Sequence, residues 1–82
     1  MIQFIVLNRN GKWSVKSNNL DRSFPAQHQA MIAAVRLANE SGKNGKPSVV
    51  ILEQPNFETI WTYGKSPYPP TNSDLRAPKE AQ

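Results

Sequence analysis

The chain has 82 residues, no cysteine and a net charge of +4. That length makes one domain with a modest core. The composition excludes disulfides and thiolate metal sites, and no apolar run approaches the ~20 residues that span a bilayer. The N-terminus shows no basic segment, apolar stretch and small-residue cleavage site in succession, so the expected location is cytoplasmic.

Ile2 to Leu7 is rich in β-branched and aromatic residues and reads as a strand. Asn10-Gly11 is the favoured dipeptide of a tight hairpin. From Lys12 to Ser17 the residues alternate, with Trp13 and Val15 on one side and Lys12, Ser14 and Lys16 on the other. Asn18 to Ser23 reads as a polar connection.

Phe24 to Gly42 carries the only long helical pattern. Ala30, Ala33, Ala34, Leu37 and Ala38 recur at three- and four-residue spacing and mark one buried face, which Met31 and Val35 widen. Alanine at its centre lets a helix lie close on a sheet. Pro25 suits a first helical position and Gly42 a C-terminal stop. Ile32 projects roughly 160° from the middle of the alanine face, at about 100° per residue. With His28, Val35 and Asn39 it forms a candidate ridge for a protein partner.

Ser48 to Glu53 contains Val-Val-Ile-Leu, a buried-strand run, and Gln54-Pro-Asn56 is a turn. Phe57 to Tyr63 reads as a further strand, with Phe57, Thr59, Trp61 and Tyr63 on one face. The order predicts an α+β fold of type ββαββ: a four-stranded sheet with one helix on one face. Residues 1–70 form the domain. Prolines 67, 69 and 70 hold the segment after Tyr63 extended, as a strap packed on the sheet or helix. Residues 71–82 lack a hydrophobic period and are expected to be a disordered polar tail.

The first and third predicted strands are apolar on both faces, which implies cover on both. One helix covers only one. The strap, a second copy of the chain or a bound partner must supply the rest.

Charge is concentrated early. Four bases, Arg9, Lys12, Lys16 and Arg22, face one acid in the first 22 residues, a local +3. With Lys43 and Lys46 on a second loop they are candidate nucleic-acid contacts, because cations gain affinity for phosphates by counterion release. The structural reading of the same charge is solubility. His28 is the only histidine, the six acids are scattered, and no glycine-rich phosphate loop is present. The sequence therefore offers no catalytic, cofactor or metal set and no small-molecule site. It points to a small non-enzymatic interaction module that self-associates, as a dimer, or binds a protein, with nucleic-acid binding as the alternative.

Three motifs carry a resemblance: Trp13-Ser-Val-Lys16 as W-x-V-K, Ala30 to Ala38 as A-x-x-A-A-x-x-L-A, and Tyr63 to Pro70 as Y-G-x-D-P-x-P-P. In this order they resemble a family of small bacterial proteins classed as a domain of unknown function, over residues 4–70. The chain departs from that pattern at Ser66, where the family has aspartate, and at Pro25-Ala26, where it more often offers a serine or threonine helix cap. The resemblance implies a bacterial or phage source and brings no activity with it.

Overall fold

A computed structural model describes residues 1–18, 20–54 and 56–70. The domain is α+β, with one helix on a mixed sheet of five strands rather than four. The strands are β1 (Ile2–Arg9), β2 (Lys12–Ser17), β3 (Leu20–Phe24), β4 (Ser48–Leu52) and β5 (Glu58–Thr62); the helix α1 spans Gln27–Lys43. Their order across the sheet is β3-β2-β1-β4-β5. β1 and β4 are parallel, and the other three pairings are antiparallel. The expected disordered tail, 71–82, lies outside the described residues.

The extra strand comes from the stretch expected to be a polar connection. Leu20, Arg22 and Phe24 share the helix side of the sheet, and Leu20 and Phe24 pack against the core. Asp21 and Ser23 point the other way and are exposed. An edge strand tolerates so many polar residues because only one side of its backbone is paired.

The strands that are apolar on both faces are the central pair. β1 lies between β2 and β4, and every residue of β4 is buried. Parallel neighbours inside a sheet carry such continuous apolar runs. The core lies between this sheet and α1. It is built from Phe4, Val6, Val15, Val50, Leu52 and Trp61 below Ala30, Met31, Ala34, Val35 and Ala38.

The first hairpin turns at Asn10 and Gly11, both with positive φ (57° and 83°), as a two-residue turn of this twist requires. Asn8 closes it, its Oδ1 accepting from the Gly11 N–H at 3.1 Å. In β5 the alternation expected from Phe57 fails. Val50 pairs with Trp61 and Ile51 with Thr59, so Ile60 is an extra residue at a β-bulge. Trp61 therefore faces the helix, while Thr59 falls on the opposite face beside Ile51. Phe57 lies before the strand.

The helix begins and ends later than its sequence signals. Pro25 lies before the N-cap, which is Ala26 with no side-chain hydrogen bond. Gly42 is buried inside the last turn rather than at the stop. The positive φ that follows belongs to Gly45 (87°), after the C-cap Asn44.

Candidate interaction surfaces

The helix-free face of the sheet can be read rank by rank from the register. Arg9 and Lys12 lie side by side next to the hairpin turn. The next rank is Ser23, Ser14 and Leu7, with Glu53 one residue past the end of β4. Then come Asp21, Lys16, Ile5, Ile51 and Thr59, and finally Gln3, Val49 and Thr62. Ile5, Leu7, Val49 and Ile51 thus form one apolar centre inside a polar rim.

No helix or strand among the described residues lies over this centre. Leu7, Val49 and Ile51 are nevertheless only 5%, 9% and 8% exposed. The rim next to Leu7 is closed by an ion pair. Arg9 reaches from β1 to Glu53 at the end of β4, donating to both carboxylate oxygens at 2.7 and 3.0 Å beside Leu7. Long cationic stems cover apolar surface in this way.

That pair also sets the electrostatics of the rim. The Arg9 hydrogen bonds hold the Glu53 carboxyl below its ordinary range; desolvation opposes this, and the charges of Arg9 and Lys16 add to it. The same hydrogen bonds raise the Arg9 guanidinium further above its already high value.

The six candidate phosphate contacts do not form one patch. Arg9, Lys12 and Lys16 share the helix-free face. Arg9 is engaged by Glu53, and Lys16 lies 3.7 Å from Asp21. Arg22 pairs with Val15 on the helix side of the edge strand. Lys43 ends the helix and Lys46 follows it, in the loop that enters β4 beside Ile2. That is the opposite end of β1 from Arg9.

The expected ridge on the helix is also divided. Val35 is fully buried in the core, so it belongs to no outer ridge. The buried residues of α1 are Ala30, Met31, Ala34, Val35, Ala38 and Gly42, a face turned towards Met31 and Val35 from the one the alanines suggest. Relative to it, Ile32 lies roughly 120° away, on the flank rather than opposite. His28 is exposed near the helix start. Ile32 is half-buried and lines a 190 Å³ hollow with Arg36, Tyr68, Pro69 and Pro70.

Residues 67–70 therefore lie on the helix side. The Trp61 indole N–H donates to the Pro67 carbonyl at 2.8 Å, and Tyr68 meets the Trp61 ring edge-on at 6.4 Å. Ser66 Oγ accepts from the Thr62 N–H at 3.0 Å, an acceptor role that an aspartate carboxylate could also fill. Residues 67–70 are thus not placed to cover the other face of the sheet.

Phe57 was not legible as a surface residue. It is 61% exposed and has φ 52°, with its N–H donating to the Glu53 carbonyl at 2.8 Å. No group of three or more metal-ligating side chains occurs among the described residues, and no helix there is long and apolar enough to cross a membrane. Comparison with protein-family models, curated proteins and solved structures finds no match for the chain.

Proposed function

We propose that the chain is a small non-enzymatic interaction module that self-associates through the helix-free face of its sheet. The observation that carries this reading is the apolar centre Ile5, Leu7, Val49 and Ile51, ringed by polar residues, with no described element above it. Strands apolar on both faces belong inside a covered sheet. The proline segment, read as a strap, ties down the helix side instead. Isologous dimers are the commonest way for a small domain to complete such a layer.

Sedimentation of the full chain across concentration tests the proposal, with Ile5→Lys as the variant, because Ile5 is the half-buried member of the centre. The wild type should dimerise and the variant should remain a folded monomer. A wild type that stays monomeric throughout would sink the reading.

A second reading has one supporting observation: Arg9, Lys12 and Lys16 share that same face and could meet phosphates. The engagement of Arg9 by Glu53 and of Lys16 by Asp21 weakens it. Titration with single- and double-stranded oligonucleotides at low salt decides it, since counterion release is most favourable there. Absence of binding under those conditions removes the nucleic-acid reading.

A further inference from the structure

The placement of charge on the helix-free face restricts how two copies can stack. β1 is the middle strand, and Ile5 and Leu7 lie on this face of it. To one side of β1 are the two lysines of β2, Lys12 and Lys16, separated by Ser14. To the other side is Glu53, level with Leu7 and therefore level with Ser14. The β2 flank also holds Asp21, 3.7 Å from Lys16, so its excess positive charge is that of Lys12, and the other flank carries the Glu53 carboxylate.

Two two-fold axes can bring two such faces together. An axis perpendicular to the strands lays β2 over β2 of the other copy, so lysine rows confront each other. An axis parallel to β1 lays β2 over β4. Glu53 then faces the partner's Ser14 and sits between the partner's Lys12 and Lys16. Each of those lies one rank away, about 7 Å along the strand at roughly 3.4 Å per residue, within reach of a lysine side chain. Although Arg9 already binds both Glu53 oxygens, each oxygen retains a lone-pair site for a second donor.

We propose that the chain forms a two-fold dimer with β1 stacked on its copy, the axis along β1, and Glu53 of each protomer between Lys12 and Lys16 of the other. This geometry rests on the self-association reading above and adds the partner contacts to it. Because the axis is two-fold, every contact occurs twice. Five strands of five to eight residues, at about 4.8 Å spacing and 3.3 Å per residue, present a face on the order of 500 Å² in projection. Stable interfaces bury about 800 Å² per partner. The dimer therefore belongs to the weak class, governed by concentration and by salt.

Charge reversal tests the geometry. In Lys12→Glu alone, two carboxylates face two carboxylates; in Glu53→Lys alone, lysines face lysines. Each variant should weaken dimerisation by about tenfold or more, the scale of like-charge juxtaposition at an interface. Mixing the two variants restores opposite charges at both symmetry-related contacts, so the mixture should dimerise again. Sedimentation equilibrium reads this for each variant and for the equimolar mixture, with thermal melts confirming that each remains folded. If Glu53→Lys fails to fold, Lys12→Ala against Lys12→Glu decides, because reversal must then weaken the dimer more than removal.

Two outcomes overturn the proposal and are distinguishable. If the wild type dimerises and both reversals dimerise equally well, the axis along β1 is wrong while self-association stands. If the wild type remains monomeric up to about 1 mM, where even a weak complex would be half-formed, self-association itself fails.

Discussion

Gly42 and Tyr63 are in such close contact that a β-carbon on Gly42 would fall on the Tyr63 ring, at its Cγ, Cδ1 and Cδ2 atoms. The glycine is helical and buried, and the tyrosine directly follows β5. The contact therefore fixes the last turn of the helix against the outer strand of the sheet.

Gly42→Ala should destabilise the protein, against the usual trend. Alanine gains about 1 kcal/mol over glycine in a helix interior. Here the methyl group would have to displace the root of an aromatic ring rather than a flexible end, and overpacking costs typically 1–3 kcal/mol. The expected net effect is a loss of up to about 2 kcal/mol. In a Tyr63→Ala background the same change should turn neutral or stabilising. Urea denaturation of the four proteins measures the coupling; additive effects would show that the ring does not set the cost.

The Arg9–Glu53 pair gives a pH dependence of definite sign. Its hydrogen bonds lower the Glu53 pKa in the folded state. The stabilisation is therefore present above the unfolded carboxylate pKa and is lost as pH falls through the folded value. Glu53→Gln should lower the denaturation midpoint slightly at pH 7, and the gap to wild type should close in acid and narrow in high salt. The pair is on the surface, so the effect is small. A gap of constant size from neutral to acid pH would show that the carboxylate charge contributes nothing.

The parts of the fold that were legible in the sequence are those with a local cause. Asn10-Gly11 specifies the first hairpin by backbone preference alone, and Trp13 with Val15 marks the inner face of β2 by alternation. What escaped detection depends on neighbours distant in sequence. β3 reads as polar because its outer face is open; its apolar signal is only Leu20 and Phe24, two strand periods apart. Gly42 resembles a stop signal, yet it is kept small by Tyr63, 21 positions later. Met31 and Val35 widen the alanine face on a helical projection, and both fill the core beneath the helix; what the projection does not show is that the buried face centres on their side, which takes Val35 out of any outer ridge. The arrangement of the surface charge is hidden from the sequence for the same reason. The bases were visible, but the partners Glu53 and Asp21 that engage two of them were not.

Phe57 adopts φ 52°, a left-handed conformation that costs an L-residue roughly 1–2 kcal/mol. Its side chain is 61% exposed and recovers little by burial. Phe57→Asn should thus stabilise the protein by up to about 1 kcal/mol, since asparagine enters this region more readily. Phe57→Val should destabilise it, because branching at Cβ is least tolerant of positive φ. Chemical denaturation ranks the three. Equal stability of the asparagine and valine variants would mean that the loop relaxes without cost. If Phe57 is an anchor for a partner, the stabilised asparagine variant should also bind that partner less tightly.

Trp61 connects the core to the segment that follows the sheet. It is 1% exposed, its N–H donates to Pro67, and its ring meets Tyr68. Trp61→Phe removes the donor and part of the ring, leaving the Pro67 carbonyl without that partner. Pro67 is exposed, so water can serve its carbonyl and loss of the bond costs about 1 kcal/mol, to which the smaller ring adds a cavity cost. A loss of about 1–3 kcal/mol is expected, a large share of the total for a domain of this size. Tyr68→Ala removes the edge-on contact of a half-exposed ring and one wall of the Ile32 hollow, and should cost about 1 kcal/mol. Protease sensitivity after Gly64 provides the second measurement. Trp61→Phe should raise it well before global unfolding, as expected if Pro67 and Tyr68 are held chiefly through this one side chain. Cleavage no faster than in the wild type would show that the segment is anchored elsewhere, with Ile32 and Arg36 on the helix the next residues to test.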